Sequence, residues 1–197
     1  MPLSQSIQRW TGLLLPPELV GAHVSGPVAH TTHRAVALSL RLVTALFGHA
    51  GIEWDITSCT PEESERLRKW ALLYKELRGL IHSGATLRSD DVGDGALLHG
   101  VVGDGEAVYA WVRLATGGDG VPPRFVLPGL DPARRWRVTR RPEVGEPAWG
   151  PGRQPPWLAK GVELAGSVLT GVGLPAPHLQ PQQAVLLHAV AVSEILE

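Results

Sequence analysis

The hydrophobic period of the chain changes at Gly84. Before it, apolar residues recur every three or four positions; after it, they recur every second position, so one part is read as helices and the other as strands. In TTHRAVALSLRLVTALFG, residues 31–48, Val36, Leu40, Val43 and Phe47 share one helical face and Leu38, Leu42 and Leu46 a second. This predicts a helix over residues 32–47 that needs protein on more than one side, with Gly48 as its stop. The next helix is strongly punctuated, with Thr60 as N-cap, Pro61 at the first helical position, Glu63 completing a capping box and Gly84 just past the end. Its stripe is Leu67, Trp70, Ala71, Tyr74, Leu77 and Ile81, while Glu62 with Arg66 and Glu65 with Lys69 face water. Residues 18–24 and 51–56 read as short strands, giving the order helix end, strand, helix, strand, helix. That alternation belongs to a parallel sheet covered by helices. Two such strands are not a stable sheet alone, so the unit is expected to be incomplete.

Beyond Gly84, EAVYAWVRLA and RRWRVTR alternate, and ALLHGVV and AVLLHAVAV are shorter candidate strands. Separated by turn-rich segments, they predict an antiparallel β-sandwich of about 110 residues. The expected division is residues 1–86 and 87–197, with the Pro/Gly/Trp-rich residues 146–161 as a surface loop. Eighteen basic against nineteen acidic residues, a net charge of −1, leave no electrostatic footprint for nucleic acid or an anionic membrane. The first residues, MPLSQSIQRWTG, lack the pattern of a signal peptide, no run approaches a membrane span, and the single Cys59 forms no internal disulfide. A cytoplasmic protein is expected.

Several blocks carry a resemblance: IQRWTGLLLPPELVGAHVSGP, HTTHR, TALFGHAGIEWDI, LYKELRGLIHSG and the late GSVLTGVGLPAP. From about Ile7 to the end, the chain resembles, in order, the C-terminal part of bacterial α-galactosidases of glycoside hydrolase family 36, the melibiase-like enzymes. The resemblance implies α/β plus all-β structure: strands 7 and 8 of a (β/α)8 barrel with their helices, then a C-terminal antiparallel β-sandwich. It also implies a parent enzyme that hydrolyses terminal α-D-galactosyl residues of melibiose- and raffinose-type oligosaccharides by a retaining mechanism with two carboxylates. In the family those aspartates stand on earlier strands. MPLSQS contains no carboxylate, so both are expected upstream of Met1 and the chain is expected to be inactive alone. Two further readings stand beside this one: a non-catalytic carbohydrate-binding or assembly module, and one half of a split α-galactosidase. The expected partners are an α-galactoside oligosaccharide and a complementing barrel fragment or further copies of the chain.

Barrel sites lie at the carboxyl ends of strands, so the resemblance places His23 and Ser25 after strand 7 and Asp55 after strand 8 toward substrate. His23 and Asp55 are the candidate substrate-binding residues, and none is assigned as catalytic. The competing reading has His23 holding its loop and Asp55 capping the next turn. His23, His30 and His33, spaced seven then three, do not match a zinc ligand set, and neither a metal nor a cofactor is expected. Cys59 reads as a packed thiol. Trp111 and Trp136 read as core, whereas Trp149 and Trp157, in a Pro/Gly stretch, are candidates for a sugar-stacking surface or a subunit contact. The Gly-Asp-Gly segments read as hairpin turns rather than calcium loops.

Overall fold

The computed structural model describes residues 2–29, 33–89, 92–117 and 123–192. Helix α1 (Pro2–Thr11) leads through a 3-10 turn at Pro17–Leu19 into strand β1 (Gly21–Ser25), then α2 (Leu38–Leu46), β2 (His49–Glu53) and α3 (Pro61–Ser83). Strands β3 (Ala85–Ser89), β4 (Ala96–Val102) and β5 (Glu106–Arg113) follow, then β6 (Arg124–Phe125) and β7 (Arg135–Arg141). The chain continues with α4 (Trp157–Lys160), β8 (Val162–Ala165), α5 (Gly166–Gly171), β9 (Leu174–Pro175) and β10 (Gln183–Ala191). No helix among the described residues is long and apolar enough to cross a membrane.

Strands β1 and β2 pair in parallel, Gly21 opposite His49 through Ser25 opposite Glu53. Ala22 and Val24 turn toward the helical core and are buried. Among the described residues this sheet has two strands only. Helix α2 is shorter than its apolar pattern predicts. Residues 33–37 are not helical because their backbone groups bond the preceding turn: Arg34 O accepts from Ala29 N at 3.0 Å and Val36 N donates to Pro27 O at 3.1 Å. Thr31 and Thr32 lie outside the described residues. Every residue of α2 is buried, as its two apolar faces demand. Its polar Thr44 is satisfied by bonding Leu40 O at 2.7 Å and accepting from the Gln5 amide at 2.8 Å.

Helix α3 begins with the predicted capping box: Thr60 Oγ1 accepts from Glu63 N at 3.2 Å and Glu63 Oε2 from Thr60 N at 3.0 Å. At its other end a single residue, Gly84, separates it from β3. A methyl group there would sit 2.6 Å from Val101 Cγ1 and 2.8 Å from Val102 O, so close approach of the backbones dictates glycine. Arg141 of β7 reaches back to α3 with a fork onto Glu76, at 2.7 and 2.8 Å, and also holds Glu143. The two carboxylates keep the guanidinium firmly protonated, and Glu76 is held below the usual carboxylate range by the hydrogen bonds from Arg141.

Six strands form one antiparallel sheet in the order β3-β4-β5-β10-β7-β8. Its second layer is not the full sheet of a sandwich. Opposite the helices it consists of the pair β6–β9 with α4, α5 and irregular chain, closed over Trp111, Trp136, Phe125 and Trp157. The physical reason lies in β5 and β10, which are apolar on both faces. Tyr109, Trp111, Val185 and Leu187 enter that layer, while Val108, Ala110, Val112, Ala184 and Leu186 join α2 and α3 in a second core. The division expected between residues 86 and 87 falls inside β3.

This shared core argues against independent folding of the strand-rich half. Cutting it free would expose Val101, Val108, Val112 and Leu186, each forgoing about 1.5–3 kcal/mol, a sum comparable to the roughly 5–15 kcal/mol stability of a whole domain. Residues 87–197 expressed alone are expected to aggregate or to melt without a cooperative transition in circular dichroism, whereas a soluble monomer with a sharp transition would contradict the shared-core account.

Candidate functional site

The carboxyl ends of the two parallel strands lie side by side, Ser25 against Glu53. On the face turned away from α2, β1 presents Gly21, His23 and Ser25, and their register partners on β2 are His49, Gly51 and Glu53. The ring of His23 lies across this face because both neighbours lack side chains. A methyl group would come within 3.0 Å of its Cδ2 at Gly51 and 3.5 Å of its Cε1 at Gly21. Nδ1 stands 3.9 Å from Glu53 Oε2, with the two side chains 53% and 78% exposed, so the pair contributes little to stability and both groups remain open to solvent.

Asp55 follows β2 and caps the 3-10 turn Ile56–Ser58. Its Oδ1 accepts from Thr57 Oγ1 at 2.6 Å and from Thr57 N at 3.0 Å. These bonds hold the carboxyl below its ordinary range and keep it ionised, the side-chain bond contributing most. The local turn is thus Asp55's main structural task, while the carboxylate itself stays exposed.

Behind this surface stands Arg41, which sequence reasoning did not single out. It is a buried cation within an otherwise apolar turn of α2, and that anomaly was the available signal. Its Nη1 donates to Ser25 O, and its guanidinium carbon lies 4.7 Å from the centre of the Trp54 ring. Nε has no hydrogen-bond partner among the described residues. Burial lowers the pKa of Arg41, with Glu63 and Cys59 acting in the opposite direction. Gly26 passes beside the same indole, where a methyl group would lie 3.5 Å from Trp54 Cδ1. Arg41 and Trp54 therefore fix the turn that follows β1.

The remaining candidates separate from this surface. His33 is exposed in a left-handed turn with φ of 53°, and His30 lies outside the described residues. No group of three His, Cys, Asp or Glu positioned to hold a metal occurs among the described residues. Cys59 is half-buried, and burial, then Glu63 and Asp55, push its thiol pKa up, the opposite of an activated nucleophile. Trp111 and Trp136 are core residues. Trp157 is no surface platform: it is buried, packs near Phe125 and donates Nε1 to Pro175 O at 3.0 Å. Trp149 is half-buried beneath Arg140, whose guanidinium carbon is 5.8 Å from its ring centre. Pro155 and the short helix α4 draw this stretch into the core on the side of the sheet away from α2 and α3, because its indole rings supply apolar area that two-residue strands lack.

The melibiase family model matches residues 4–84. An α-galactosidase of Escherichia coli is 36% identical over 189 residues, covering 92% of this chain and 27% of that enzyme. The solved α-galactosidase of Lactobacillus brevis superposes with a TM-score of 0.80 at 25% identity, over 98% of this chain and 25% of its own. A family 36 α-galactosidase, AgaA of Geobacillus stearothermophilus, solved in complex with raffinose, has a TM-score of 0.79 at 23% identity, over 96% of this chain and 24% of its own. The chain spans about a quarter of the length of these relatives.

Replacing Arg41 tests the support of the surface. Arg41→Ala is expected to lower stability in urea by about 2–3 kcal/mol, the scale of a lost hydrogen bond to a charged group. Arg41→Lys is expected to recover little of it, because an ammonium does not reproduce the planar contact with Trp54. Full recovery with lysine would assign the effect to charge alone.

Proposed function

Because the chain belongs to the glycoside hydrolase family 36 α-galactosidases, we propose that it forms one wall of a pocket for the terminal α-D-galactosyl residue of melibiose- and raffinose-type oligosaccharides. In this reading residues 1–86 are the last two β/α units of a (β/α)8 barrel, strands 7 and 8 being β1 and β2, and residues 87–197 are the β-domain behind them. The observation that carries it is the exposed polar face at the carboxyl ends of β1 and β2. That is the end at which such barrels build their sites, while Ala22 and Val24 on the opposite face are buried in the helical core. His23 offers ring nitrogens to sugar hydroxyls from a position set by Gly21 and Gly51. Asp55 offers the carboxylate oxygen that Thr57 does not engage.

A retaining glycosidase requires a nucleophile and a general acid about 5 Å apart. Asp55 is unsuited to be the acid, since its hydrogen bonds favour the ionised form. Glu53 faces His23 rather than a second carboxylate. In this reading the nucleophile and the acid/base are, as the family resemblance implies, aspartates on a complementing barrel segment that pairs with the open edges of β1 and β2. The chain is accordingly an inactive part of a cytoplasmic α-galactosidase. The alternative of a self-sufficient carbohydrate-binding module gains no support from Trp149 and Trp157, one half-covered and the other buried.

The test is hydrolysis of melibiose by the purified chain, alone and after co-expression with the preceding barrel region of a relative. No turnover is expected alone. In the reconstituted enzyme His23→Ala is expected to raise KM several-fold. Turnover by the isolated chain that disappears on Glu53→Gln or Asp55→Asn would overturn the assignment.

A further inference from the structure

A groove opens at the opposite end of the parallel pair. Val20 and Phe47, which line it, precede the first residues of β1 and β2, so it lies away from Ser25 and Glu53. It is an open groove of about 590 Å³, counting the solvent at its mouth. One wall is α1 with its following turn, including Arg9 and Gly12, and the other is the hairpin β3–β4 with Arg88 and His99. Arg88 and His99 are direct cross-strand partners and project from the same face of the sheet.

Two features distinguish the groove from an ordinary crevice. Arg88 makes no hydrogen bond or ion pair with another described residue, yet its guanidinium extends across to α1, where a methyl group on Gly12 would lie 2.5 Å from Nη2. His99 packs edge-on to Phe47, ring centres 4.7 Å apart, and neither ring nitrogen has a hydrogen-bond partner among the described residues. Burial and then Arg9 push the pKa of Arg88 down, while burial, Arg88 and Arg9 hold His99 down at about 4. No acidic residue among the described residues lines the groove, and its floor is apolar, from Leu15, Val20 and Leu97.

We propose that this groove binds a small organic anion, a carboxylate on an apolar body, with Arg88 as its main counter-charge and His99 as a second hydrogen-bonding group. A carboxylate matches the planar fork of a guanidinium, and the apolar body covers the floor. Inorganic phosphate satisfies the charge but leaves the floor wet. The site is remote from the carboxyl ends of β1 and β2, so its ligand is not the galactoside proposed above.

The experiment is calorimetric titration of the full chain with benzoate, benzyl alcohol and inorganic phosphate at matched ionic strength, with the His99 ring followed by NMR. Benzoate is expected to bind about tenfold more tightly than either of the others, the scale of one charge-assisted contact. A bound carboxylate favours the imidazolium, so the His99 pKa is expected to rise from about 4 on saturation. Arg88→Gln is expected to remove the preference for benzoate. Gly12→Ala, which crowds Nη2 but keeps the charge, is expected to weaken binding while leaving the circular dichroism spectrum unchanged. Equal binding of benzyl alcohol, phosphate as strong as benzoate, an unmoved His99 pKa, or unchanged affinity in a folded Arg88→Gln protein would each overturn the proposal.

Discussion

Strand β10 must be covered on both faces, and most of the architecture follows from that requirement. It lies between β5 and β7, with Leu186 directed into the helical core and Leu187 into the opposite one. The sheet is therefore a partition between two cores rather than the outer wall of one. Helix α2 occupies the space between this partition and the parallel pair, which explains why its whole circumference is buried. Its side chains then determine what lies beyond: Thr44 reaches Gln5 of α1, and Arg41 reaches Ser25 at the end of β1. The exposed surface at His23 and Glu53 is thus positioned from the sheet, through one helix, by packing and two polar contacts.

Local signals in the sequence were legible wherever local physics decided the outcome. The capping box at Thr60 and Glu63 and the stop at Gly84 marked both ends of α3, and the four longest strands coincide with the candidate strands, β5 and β7 read from alternation and β4 and β10 as shorter candidates. The start of α2 was not legible, because the pattern from Val36 onward suits a helix while backbone bonds from Pro27 and Ala29 hold the first residues in a turn. The double-sided burial of β5 was also hidden. Alternation distinguishes two faces but does not reveal that alanine and valine on the milder face are as buried as tyrosine and tryptophan on the other. Proline and glycine around Trp157 suggested a surface loop, yet these residues also let a chain without regular structure fold inward over a core.

At the candidate site, His23 and Asp55 were named from the barrel resemblance and their positions at strand ends, and the capping role weighed for Asp55 is the contact observed with Thr57. Arg41 and Trp54 escaped because their contact spans two elements and depends on how α2 is rotated about its axis. The groove residues Arg88 and His99 escaped for a related reason. Strand pairing brings them together, and register is not written in either strand alone.

Gly84 has a mechanical consequence. One residue joins a 23-residue helix to a sheet strand, packed without room for a methyl group, and the Arg141–Glu76 fork fastens the same helix to the far side of that sheet. Such a joint has no slack. A displacement of the sheet is carried along α3 as by a stiff lever instead of being absorbed in a linker, and it reaches the turn around Asp55 and Cys59 where that helix begins.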